Sequence, residues 1–109
     1  ALMLCNNLRD RESDEAAGKG TLAVRFGARV CHALHRSLLA LTVAIPLVLA
    51  FAWERPLIAL AGLAALPFAI RVNRLVGPLA KPADHAEALA ETGRLIACLA
   101  LTLAVAIVV

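Results

Sequence analysis

Tyrosine is absent from this 109-residue chain, and one tryptophan with three phenylalanines brings the aromatic share to only 4%. Charge is scarce as well, at 17% of residues, where soluble domains carry about a quarter. The three cysteines, Cys5, Cys31 and Cys98, are odd in number and lack metal-ligand or redox spacing, so free thiols are expected. No basic segment leads into a short apolar run and a small-residue cleavage site, so no signal peptide is read. These absences exclude a disulfide-stapled secreted domain and an ordinary cytosolic enzyme. The hydrophobic share of 61% excludes a disordered chain. A polytopic membrane protein, or a piece of one, remains; the apolar opening Ala1-Leu2-Met3-Leu4 reads as the tail of an earlier apolar segment.

Apolar residues fall in blocks. Ser37 to Trp53 and Leu57 to Ile70 contain no ionisable group, and Leu95 to Val109 forms a third run. A bilayer-crossing helix needs about 20 apolar residues. Spans are therefore predicted over 34–53, 56–75 and 93–109, with Arg36 and Arg71 snorkelling to the headgroups. Helix is the only state that satisfies its own backbone hydrogen bonds against lipid here, because the alternating pattern of a barrel strand is missing. The fold class is thus an all-α polytopic transmembrane bundle. Pro46 and Pro67 lie inside spans and are expected to kink them locally. Ala61, Gly62, Ala64 and Ala65 supply the small side chains that let helices approach closely.

Ten of the eleven Lys and Arg residues lie in the two long polar stretches, and only Arg55 lies in the short connection between spans. That bias places both stretches on the cytoplasmic side and Glu54-Arg55 outside, with Trp53 anchoring the outer interface. The net charge of +3 is accordingly assigned to membrane orientation and not to nucleic acid. In the second polar stretch, Gly77-Pro78 and Lys81-Pro82 break helix, and Asp84-His85-Ala86-Glu87 resembles a capping box opening a surface helix through Glu91. Asp84, Glu87 and Glu91 read as one solvated face, and Asn73 as a helix-end cap. Cys31, His32 and His35 read as interfacial packing, because a zinc site would want a fourth ligand.

The chemistry is concentrated in residues 6–27. On a helix Asp10 and Asp14 stand one turn apart on one face, with Asn6 a turn before and Glu12 pointing away. Paired carboxylates of this kind suit Mg²⁺, which joins one or two of them to substrate phosphates. A solvated helix laced by Arg11–Glu15 and Glu15–Lys19 pairs explains the same letters. Position at the membrane edge favours the functional reading. Gly18, Lys19 and Gly20 then allow a sharp turn, with Lys19 and Arg25 offering positive charge to a diphosphate. The spacing matches neither a Walker loop nor an EF-hand.

Asn-Asn-Leu-Arg-Asp-x-x-x-Asp followed by Gly-Lys-x-Thr-Leu-Ala-Val-Arg-x-Gly resembles the second aspartate-rich motif of the UbiA superfamily of intramembrane prenyltransferases. It is most similar to the branch that prenylates 1,4-dihydroxy-2-naphthoate in menaquinone synthesis. The resemblance implies a carboxy-terminal portion of such a domain over 1–109, with two Asp-rich motifs holding Mg²⁺ against a polyprenyl diphosphate. It makes Asp10 and Asp14 the catalytic metal ligands, with Asn6 assisting, and Lys19, Arg25 and Arg9 the diphosphate binders. Its implied partners are polyprenyl diphosphate, an aromatic acceptor (dihydroxynaphthoate; alternatively 4-hydroxybenzoate, homogentisate or haem) and the lipid bilayer of a bacterial inner membrane. The first Asp-rich motif has no counterpart in these residues, and Gly20 stands where the branch often carries a basic residue. Residues 1–109 alone are therefore expected to hold half a metal site and to show no turnover. A non-catalytic membrane subunit docking a partner through its acidic helix is the reading from a different class.

Overall fold

The computed structural model describes residues 1–77 and 80–108, apart from the side chain of Pro82. Among them the chain forms α1 (Leu2–Arg9), α2 (Arg11–Ala16), α3 (Leu22–Ala52), α4 (Pro56–Leu75) and α5 (Pro82–Val108), with no strand. The last three are long and apolar enough to cross a membrane. The longest dimension is 51 Å, which covers a bilayer of about 40–45 Å with its headgroups. The expected all-α transmembrane bundle is what forms. Pro78 and Val109, which belong to the expected helix break and the third span, lie outside the described residues.

Helix boundaries depart from the sequence reading in three places. α3 begins at Leu22, twelve residues before the expected span, and is broken at Gly27, whose φ of 79° and ψ of 163° leave helical space. That region is essentially open to glycine alone. Pro46 and Pro67 keep helical backbone angles, and each span continues through its proline. The third departure is α5. Its start moves forward because the Asp84 carboxylate accepts a 2.7 Å hydrogen bond from the Lys81 backbone N–H. This is the reciprocal arm of a capping box whose first residue is Lys81, with proline in the first helical position, where its missing donor costs nothing. Glu87 is thereby freed to accept a bond from Arg71 at 2.8 Å. No separate surface helix forms; α5 runs through Glu91 without interruption.

α4 packs between α3 and α5, and α1 bridges those two at one end. The largest core cluster joins these four helices through Cys5, Leu39, Ala65, Ala69, Val72, Ala88 and Leu95. Small residues let α3 and α4 close up, as expected: Ala61, Gly62 and Ala65 are buried and Ala64 is half-buried. At Gly62 the helices approach so closely that a Cβ there would stand 2.8 Å from the Val43 carbonyl oxygen. A second cluster of Ala50, Ile58 and Ala106 closes the far end, where Arg55 Nη1 donates to the Ile107 carbonyl at 3.3 Å. Trp53 ends α3 there and is exposed, in keeping with an interfacial anchor. Leu41, Ile45, Val48, Leu60, Leu63, Leu101 and Val105 point outward. In water such a surface would drive aggregation; in a bilayer it is the surface that meets lipid.

Candidate functional site

The acidic segment sits where α1 gives way to α2. Asp10 divides them with φ −96° and ψ 9°, and the Ser13 hydroxyl donates to the Asp10 carbonyl at 2.8 Å. A serine hydroxyl competing for a backbone carbonyl in this way loosens helix locally. The expectation of one unbroken helix through Asp10 is therefore corrected. The i to i+4 ladder nevertheless survives the joint, with Asp10 N–H on Asn6 O at 2.9 Å and Asp14 N–H on Asp10 O at 2.8 Å. Asn6, Asp10 and Asp14 consequently keep their one-turn spacing.

Each carboxylate is held by a nearby cation. Arg9 grips Asp10 bidentately, Nε to Oδ1 and Nη2 to Oδ2, both at 2.7 Å. These charge-assisted bonds from Arg9 hold the Asp10 carboxyl below its ordinary range, against the opposing effect of desolvation, with the charges of Arg9 and Lys19 adding. The same bond and the Asp10 charge raise the Arg9 guanidinium. Asp14 is 8% exposed, and Lys19 Nζ lies 3.1 Å from its Oδ1.

The turn that returns Lys19 to Asp14 has a definite cause. Lys19 N–H bonds Asp14 O at 2.8 Å and Gly18 N–H bonds Glu15 O at 3.1 Å, the paired closure of a Schellman cap. That cap needs a left-handed residue, and Gly18 supplies it with φ 70°. The Arg11–Glu15 and Glu15–Lys19 pairs expected of a solvated helix do not form among the described residues; Lys19 takes Asp14 instead.

Arg25 approaches from the first turn of α3. Its guanidinium lies across Gly20, where a Cβ would stand 3.2 Å from Arg25 Nε. A side chain at position 20 would crowd Arg25, so the glycine is what lets this cation lie along the Lys19 loop. Thr21 starts α3 with extended backbone, and its buried hydroxyl has no partner among the described residues. The structure thus brings Arg9, Asp10, Asp14, Lys19 and Arg25 onto one short segment, with Asn6 exposed at its start.

As a donor set, two carboxylates and an amide are hard oxygen ligands, which fit Mg²⁺ and not a soft metal. Among the described residues no group of three or more His, Cys, Asp or Glu side chains forms a metal cluster. A magnesium ion held here would therefore draw its remaining ligands from beyond these residues.

The other sequence candidates fall elsewhere. Cys31 and His35 are buried in helix packing, and Cys5 Sγ lies 4.0 Å from His35 Nδ1. Burial pushes the Cys5 thiol up, which keeps it unreactive. Asn73 does not cap α4, whose final N–H bond is made by Val76. Glu91 is the clearest correction. It is 2% exposed and not solvated, accepting from Arg94 and lying 3.5 Å from Arg71 Nε. The Glu91–Arg94 spacing signals one of those partners, but Arg71 arrives from α4 and has no signature in local spacing.

The UbiA prenyltransferase family model matches residues 1–99. The chain is 46% identical over 65 residues to a 1,4-dihydroxy-2-naphthoate octaprenyltransferase of Haemophilus influenzae, a match covering 56% of this chain and 21% of that protein. The chain thus spans about a fifth of that curated relative's length. No solved structure matches it. With a family match over nearly all its length, three membrane helices and the acidic segment at their edge, this chain belongs to the UbiA prenyltransferase family.

Proposed function

We propose that these residues are the second Asp-rich half of an enzyme that transfers a polyprenyl group from its diphosphate to 1,4-dihydroxy-2-naphthoate. The ten-to-one Lys and Arg bias supports a site facing the cytoplasm, and the Haemophilus relative supports a bacterial inner membrane. The observation that carries the reading is the pair Asp10 and Asp14, one turn apart, each neutralised by a cation that can be exchanged.

In the reaction the allylic C–O bond breaks and the diphosphate leaves with the electron pair. A ring carbon of the acceptor bonds the allylic carbon, and the ring carboxylate departs as CO₂. Asp10, Asp14 and Asn6 would hold Mg²⁺, which when bound supplies charge to stabilise the departing diphosphate. Asp10 remains ionised for that role because Arg9 stabilises its charged form. Lys19 is 65% exposed along its side chain, so it has room to swing from Asp14 to a diphosphate oxygen, with Mg²⁺ taking its place beside the carboxylate. Arg9 has the same option, and Arg25, which makes no ion pair among the described residues, adds a fixed positive charge. Fixed cations at a membrane edge do this electrostatic work better than mobile ones in water.

The test is Asp10→Asn and Asp14→Asn in the full-length protein, assayed with dihydroxynaphthoate, a prenyl diphosphate and Mg²⁺. Each is expected to lower prenyl transfer about 10²–10³-fold while the protein remains inserted. Intact activity in both would remove the proposal and leave the acidic segment as a docking helix. Because the match covers 21% of the curated relative, residues 1–109 alone are expected to be inactive.

A further inference from the structure

α3 and α4 touch closely at Gly62, and between that contact and the acidic segment a groove opens along their outer face. Its volume is about 430 Å³. Leu39, Val43 and Leu66 line it, Leu47 lies on the side of Gly62, and Arg36 and Asn73 line it on the side of the acidic segment. Arg36 and Asn73 make no ion pair or side-chain hydrogen bond among the described residues. A cation and an amide thus sit unmatched at the rim of an otherwise apolar slot.

The dimensions say what fills it. From Arg36 to Leu47 the helix rises about 16 Å, and one leaflet of hydrocarbon is about 15 Å deep. The slot then ends, because Gly62 lies against the Val43 carbonyl, Pro46 and Leu47. A transmembrane helix seated in the slot would extend through both leaflets and overrun its end. A single acyl chain needs only one, with its headgroup at the rim. The unmatched guanidinium selects a negative headgroup, as basic pockets between membrane helices do.

We propose that this groove binds one acidic phospholipid of the leaflet on the acidic-segment side, its chain along Val43 and its phosphate on Arg36 and Asn73. The site is separate from Asp10 and Asp14 and does not depend on the proposed reaction.

The experiment uses the full-length protein, delipidated in detergent and titrated with phosphatidylglycerol or phosphatidylcholine, with bound lipid counted by native mass spectrometry. The wild type is expected to retain one phosphatidylglycerol per chain at about tenfold preference over phosphatidylcholine (about 1.4 kcal/mol). Arg36→Gln should reduce that preference to near unity, and Ala40→Phe, which fills the slot, should remove retention of both. Equal retention of the two lipids by the wild type, or unchanged preference in Arg36→Gln, overturns the proposal. Ala44→Cys supplies an independent check. Its crosslinking to another segment of the same chain would show that protein covers the groove, and would overturn the proposal too.

Discussion

Replacing Gly62 by alanine tests the closest helix contact in the bundle. The new Cβ would lie 2.8 Å from the Val43 carbonyl oxygen, 3.4 Å from Leu47 Cγ and 3.5 Å from Pro46 Cβ. Carbon–oxygen contacts settle at about 3.3–3.6 Å, so α3 and α4 must separate by about half an ångström at this point. The obstructing atom belongs to the backbone of a long helix and cannot rotate away. Overpacking of this kind costs about 1–3 kcal/mol, against which alanine regains about 0.5–1 kcal/mol of the glycine's conformational penalty in a helix. Gly93 is the matched control, because it lies within α5 and a Cβ there meets nothing within 4 Å. Gly93→Ala should therefore show the gain without the clash. The two variants should differ by the steric cost alone, about 1–3 kcal/mol. Equilibrium unfolding of the full-length protein in mixed micelles, titrated with SDS and followed by circular dichroism, measures that difference. If Gly62→Ala is as stable as Gly93→Ala, the close approach is not a real constraint on the fold.

Three other substitutions probe separate features. Arg9→Gln removes the bond that depresses the Asp10 titration. A depressed carboxyl favours the folded state above its unfolded pKa and loses that contribution as pH falls through the folded value, so the variant should begin losing activity at higher pH; an unshifted acid limb in the pH–rate profile contradicts this. Gly27→Ala places a side chain at φ 79° and ψ 163°, which costs about 1–3 kcal/mol of backbone strain although the surrounding space is open; the same SDS titration detects it. Glu91→Ala strips a buried acceptor from Arg71 and Arg94. Because both guanidiniums reach water, the loss is limited to about 1.5–3 kcal/mol, and a double-mutant cycle with Arg94→Met should show coupling.

Features governed by composition or local spacing were legible in the sequence: the three spans, the small residues of the α3–α4 contact, and the one-turn placement of Asp10 and Asp14. Features decided by a partner brought from elsewhere were not. Glu91 reads as solvated because its own helix carries charge at regular intervals; only the arrival of Arg71 on α4 explains its burial. The Glu15–Lys19 pair fails for a related reason. Helical spacing pairs Lys19 with Glu15, but the Schellman closure at Gly18 ends the helix and redirects the ammonium to Asp14. The start of α5 shifts because Asp84 acts as the third residue of a cap instead of its first. Gly27 carries no signal of its own, since a glycine in an apolar helix serves packing as readily as a change of direction.

The break at Gly27 divides labour along α3. Ahead of it lies a single helical turn carrying Arg25; behind it lies an uninterrupted rod bedded in hydrocarbon. The two torsions of that one residue set the aim of the turn relative to the rod. The frontier between the turn that carries Arg25 and the membrane anchor is therefore one amino acid wide, and an engineer could exchange the head without redesigning the mooring.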